Sequence, residues 1–176
     1  DYAEAYYNMG NTLKGMAFLK PNSGLQKTIT SILENKTSVR PKDISTASIS
    51  LLKFEPVIKG LFQKHSQGNL SQSFKETVLA LSNLSLLLKL MGVCPLPDLE
   101  WEAVLTDIRS YILSSFSEVA GNSDLLRFQS ALALQCFTNE YMYSQNDTES
   151  QALQRLEALV EKALSNGQQP NPQLLL

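Results

Sequence analysis

The chain has 176 residues, 43% of them hydrophobic, which suits one domain of ordinary size and lies far from the composition of a disordered segment. Charged residues are only 18%, and 15 Lys and Arg against 17 Asp and Glu leave a net charge of −2. That balance argues against non-specific nucleic-acid binding, which needs a basic surface to displace counterions, and one His with two Cys leaves little material for a transition-metal site.

In chain order, residues 3–19 are predicted helical, with Tyr6, Met9, Leu13 and Ala17 spaced by three and four. Pro21-Asn22-Ser23 breaks the chain and supplies a cap for a second helix that carries Leu25, Ile29, Ile32 and Leu33 and ends near Asn35. Pro41 belongs in the first turn of a third helix, with Asp43 favourable at its N-terminus and Ile44, Ala47, Leu51 and Leu52 as its buried stripe. Pro56 opens a short fourth helix with Val57, Ile58, Leu61 and Phe62, and residues 65–69 read as a loop.

From Ser71 a helix carries Phe74, Val78 and Leu81, and residues 83–91 either continue it or start a neighbour. The prolines at 95 and 97 make residues 92–97 the clearest interruption, since neither can continue a helix. Asp98 caps a long helix through Ser117 with Leu99, Leu105, Ile108, Ile112 and Phe116 inward. Gly121-Asn122-Ser123 leads into a helix over 124–143. Thr148 with Gln151 forms a capping box before Leu153, Leu156, Val160 and Leu164, and Asn166-Gly167 stops that last helix.

No stretch alternates with period two, so the expected fold class is all-α, seven to nine helices in antiparallel pairs, either solenoid-like or a compact bundle. The domain reading is a first helical unit at 1–20, a helical region at 21–93, a Pro-rich break at 94–97 and a second helical region at 98–176. Pro170-Asn171-Pro172 reads as the entry to another helix, and the run Leu174-Leu175-Leu176 has nothing after it to cover it. With no initiator Met at Asp1, the chain is expected to be cut from a larger polypeptide. No targeting segment is visible, and the run Leu86-Leu87-Leu88 is too short to span a bilayer, so the expected location is cytoplasmic. Sequons at Asn35, Asn69, Asn83 and Asn146 are read as chance, because Asn83 falls within an apolar helical run.

Residues 1–13, DYAEAYYNMGNTL, resemble the first helix of a tetratricopeptide repeat through Tyr6, Met9-Gly10 and Leu13. In such a helix the glycine admits close packing of a partner and the large residues fill the seam. The resemblance implies that Asn8 and Asn11 face the concave groove, and with Tyr7 and Lys14 they are the candidate peptide-binding residues. The repeat's second helix does not follow, since Asn22, Gln26, Ile29 and Glu34 stand where its small, aromatic, Ala and Pro residues belong. This looks like the last, truncated unit of an upstream array.

The stretches KPNSGLQKTITSILENKTSVRPKDISTASISLLKFEP, LLKLMGVCPLPDLE and FQSALALQCFTNEY resemble a helical region of microbial multidomain proteins. There it lies between tetratricopeptide repeats and a methyltransferase domain dependent on S-adenosylmethionine. No strand followed by a Gly-rich turn occurs in this chain. The expected function is therefore a non-catalytic helical connector within a larger tetratricopeptide-repeat protein. Its partners would be a protein or peptide in the repeat groove and neighbouring domains of the same polypeptide, with no nucleic acid, membrane, metal or cofactor. The alternative is the substrate-recognition region of a methyltransferase whose catalytic domain lies outside the chain.

Other candidate positions have plainer readings. The acids Asp98, Glu100 and Glu102 suit the first turn of a helix better than a cation site. His65 suits a helix C-terminus, where a cation meets free carbonyls. Cys94 and Cys136 read as core thiols without electropositive neighbours. Residues 137–141, FTNEY, read as packing rather than a binding surface.

Overall fold

The computed structural model describes residues 2–35, 38–70, 74–138 and 146–175, with the backbone alone for Tyr2, Glu118 and Val119. The chain is all-α. Among the described residues there are nine helices of seven residues or more: α1 (Tyr2–Leu13), α2 (Ser23–Asn35), α3 (Pro41–Leu52), α4 (Pro56–Ser66), α5 (Phe74–Ser82), α6 (Ser85–Met91), α7 (Leu99–Ser114), α9 (Ser123–Thr138) and α10 (Asp147–Ser165). The single turn α8 (Phe116–Val119) follows α7, and a 3-10 turn at Pro172–Leu174 follows α10.

The local chemistry of the caps decides most boundaries. Asn22 Oδ1 accepts from Leu25 N at 2.9 Å and starts α2, while Pro41 and Pro56 open α3 and α4 from extended residues. Helix α1 stops six residues short of the expected Leu19, because Gly15 takes φ 73 and turns the chain after Lys14. Helix α4 runs through His65 and Ser66, which were expected in a loop, and Gly68 at φ 70 ends it. Ser115 at φ −114, ψ 28 separates α7 from α8, so no continuous helix reaches Ser117. The expected start at Ser71 and end at Tyr143 lie outside the described residues.

The packing is that of a compact bundle, the second of the two expected forms. In a solenoid each unit touches only its neighbours in sequence. Here the seven-residue α6, SLLLKLM, packs on α2, α3, α5 and α9, and α5 also lies on α9. Leu86, Leu87, Leu90 and Met91 of α6 are buried, as a helix apolar on most sides requires. One apolar core runs from Leu13 to Leu132 and takes side chains from both sides of the Pro-rich break.

That break is stitched into the core by a single amide. Gln135 of α9 is fully buried, its Nε2 donates to Met91 O at 2.7 Å and Cys94 O at 2.8 Å, and its Oε1 accepts from Leu96 N at 3.1 Å. Prolines 95 and 97 deny this segment helical partners, and Gln135 supplies them instead.

Three expectations about inward faces are corrected. Leu99 is exposed, and Trp101, from within the acidic run, is fully buried with its ring edge-on to Phe62 at 5.2 Å. Phe137, read as a packing residue, is 82% exposed, and residues 139–141 lie outside the description. Asn83 sits exposed on the turn between α5 and α6, so the steric reason for dismissing its sequon does not hold.

Candidate functional site

Helix α10 is a long helix whose apolar side is left partly open. Asn146 caps it from extended backbone, accepting from Glu149 N at 2.9 Å while Glu149 Oε2 accepts from Asn146 N at 3.4 Å. This reciprocal pair is the capping box, two residues before the expected Thr148–Gln151, and Asn-x-x-Glu meets the same geometric requirement. Of the helix's 19 residues only Glu149 and Ala152 are buried, both in its first turns. Leu153, Leu159 and Leu164 are exposed, and Leu156 and Val160 are half-buried.

A groove of about 970 Å³ runs beside the Leu153, Leu156 and Val160 side of the helix. It is lined by α7, α8, α9, α10 and the residues after α10, with Ile112, Phe116, Leu132, Leu153, Leu156 and Val160 among its apolar side chains. Each end is pinned by polar contacts. At the start of α10, Arg109 of α7 donates from its guanidinium to Glu149 Oε2 at 2.9 Å, with Glu149 only 2% exposed. At the other end buried Gln173 donates to Gln129 Oε1 at 2.7 Å and to Asn122 O at 3.2 Å, and accepts from Gly121 N. These two anchors hold the tail beside α9 while the middle of α10 stands away from it.

The polar groups of the groove are unequal in charge. Arg109 is committed to Glu149, whereas Glu157 and Glu161 are exposed along the α10 edge. Glu149 Oε1 is buried and has no hydrogen-bond partner among the described residues. Cys136 also lines the groove, and the expectation that it lacks an electropositive neighbour is corrected, because α7 brings Arg109 within hydrogen-bonding reach of its thiol. Burial still dominates and pushes the Cys136 thiol up, with Arg109 pulling the other way. Cys94 has no such cation, and burial pushes its thiol up to about 11. Both cysteines are free.

The residues singled out from the sequence fall elsewhere. Tyr7, Asn8 and Asn11 share the exposed side of α1, and Lys14, exposed just after it, has its Nζ 3.6 Å from Asp43 Oδ1. The opposite side of α1 packs chiefly on α3, and Gly10 is buried where an added Cβ would meet Val39 Cγ1 at 2.9 Å. Close approach through glycine is therefore real, with the loop before α3 as the neighbour. His65 Nε2 meets Asp107 Oδ2 at 3.1 Å, a cross-helix partner in place of helix-end carbonyls.

Asp98 Oδ1 caps α7 by accepting from Trp101 N at 3.1 Å, and its Oδ2 pairs with Lys53 at 2.7 Å, as does Glu100 at 3.0 Å. Partial burial would lower the Lys53 pKa, but the two carboxylates outweigh it and the net direction is upward. The acidic run is thus used as a cap and an ion-pair bridge from α7 to the end of α3. No group of three or more metal-ligating side chains occurs among the described residues, and none of their helices is long and apolar enough to cross a membrane.

The groove was not legible in the sequence. The signal for its anchor was the Asn-Asp-Thr-Glu spacing at 146–149, which reads only as a cap until Arg109 is seen opposite. No family model, curated protein or solved structure matches the chain.

Proposed function

We propose that the chain is a non-catalytic helical interaction segment of a larger cytoplasmic tetratricopeptide-repeat protein, and that it holds an amphipathic helix of a protein partner in the groove along α10. The observation that carries this reading is the half-open apolar side of α10 above a cavity of about 970 Å³. The groove follows α10 from Glu149 to Glu161, about 18 Å at a rise of about 1.5 Å per residue, so it matches a partner of three to four turns. Leu164, one turn beyond Val160 on the same side of α10, is exposed and extends the apolar surface past the groove, as suits a helix better than a small ligand. The resemblance of residues 1–13 to a tetratricopeptide helix supports the same class of role, since such helices dock polypeptides.

The test is a titration of the isotope-labelled chain, followed by amide chemical shifts, with an 18-residue peptide bearing Leu at helical spacing and Gln elsewhere. Shifts confined to α7, α9 and α10 are expected. Shifts absent throughout, or centred on α1, would remove the groove from this role.

A further inference from the structure

We infer that the helix accepted by this groove is basic, with Lys or Arg flanking its apolar stripe. The inference rests on the reading of the groove as a helix-docking site and adds its charge. Two observations carry it. First, Arg109, the only cation lining the groove among the described residues, is already held at 2.9 Å by Glu149. Its positive charge is spent inside the fold.

Second, Glu157 and Glu161 stand exposed on the α10 edge of the groove, and no ion pair to either occurs among the described residues. Being four residues apart, they lie on one side of the helix, about 5–6 Å apart between Cβ atoms. Two basic side chains one turn apart on a docked helix match that spacing, whereas two acidic ones would meet like charge.

An uncharged apolar helix would fill the stripe but leave the acidic edge unused. An acidic helix would be repelled by it. The groove therefore selects by sign along one edge and by apolar fit along its length, the usual division of labour between rim and centre of an interface.

The experiment compares three labelled 18-residue peptides that share one Leu pattern and carry Lys, Gln or Glu at the flanking positions. Binding is followed by fluorescence anisotropy at low and high salt. The Lys peptide is expected to bind about tenfold tighter than the Glu peptide at low salt, with the gap closing as salt screens the rim. Glu157→Lys with Glu161→Lys should invert the order. Glu34→Lys with Glu76→Lys, the same change of net charge at exposed positions of α2 and α5, should leave it unchanged.

Equal affinity for the Lys and Glu peptides, or the same inversion from the control pair, would overturn the inference. If the Gln peptide still shifts the groove amides, the docking reading survives that loss. If none of the three peptides binds, both fall. Circular dichroism of each variant confirms that the helices are retained.

Discussion

Helices α6 and α10 are both rich in leucine, and the fold treats them in opposite ways. Helix α6 has seven residues and buries Leu86, Leu87, Leu90 and Met91 among four other helices. Helix α10 has 19 residues, packs chiefly on α7, and buries only Glu149 and Ala152. Leucine content thus does not set burial; the number of elements that reach a helix does. The short helix is the centre of the core, and the long one is held at its start and through its tail, with an apolar side to spare.

The contrast breaks most visibly in the core. Leu87→Ala should cost about 2–5 kcal/mol, because a fully buried leucine leaves a cavity its neighbours only partly fill, and a urea melt of the whole chain should show it. A shallow loss there would mean that α6 is not the hub.

The next largest effect belongs to the anchor of α10. Arg109→Met should cost roughly 2–3 kcal/mol, somewhat below a fully buried pair because Arg109 keeps some contact with water. Adding Glu149→Gln should recover part of it, since the amide keeps the cap without a buried charge. Hydrogen exchange should accelerate in α10 while α6 stays protected. Equal acceleration in both would show that the two helices open as one unit.

Alkaline pH probes the core side of the comparison. The Cys94 thiol ionises near 11 in the folded chain against an ordinary value of 9.0. A group held above its ordinary value contributes its full stability below pH 9.0 and loses it as pH rises to about 11. The melting temperature should fall across that window by the equivalent of up to roughly 2 kcal/mol, and less steeply in Cys94→Ala. Lys53, also shifted upward, acts in the same direction and remains in both proteins.

The smallest effect is expected on the open side of α10. Leu164→Ala removes a side chain that is 61% exposed and should change stability by under about 0.5 kcal/mol. A cost near that of Leu87→Ala would show that something covers this surface in solution.

Most of the helical framework could be read from local chemistry. Pro41, Pro56, Asn22 and Asp98 act within one turn of where they stand, so their effect does not wait for the rest of the fold. Ile29, Ile32, Ile44, Leu51 and Leu105 were placed inward by spacing and are buried. Leu99 was misassigned inward because spacing alone cannot say which side of a helix wins, and here Trp101 takes the core position with Phe62 opposite.

The candidate site was not readable in the same way. Tyr7, Asn8, Asn11 and Lys14 were chosen together by resemblance, and all four are exposed. The groove needed Arg109, Cys136, Glu149 and Gln173, which are brought together from α7, α9, α10 and the tail.

By itself the sequence determined the all-α class, the caps and the proline break, since each depends on backbone propensities and contacts only a few residues apart. Only the tertiary structure decided that α6 is central, that Gln135 satisfies the break, and that α10 stands away from α9. Those outcomes depend on pairings 39 to 44 residues apart, such as Gln135 with Leu96, Gln135 with Met91, Arg109 with Glu149 and Gln173 with Gln129. Hydrogen-bonding capacity is a property of each side chain, but which partner meets it is a property of the packed whole.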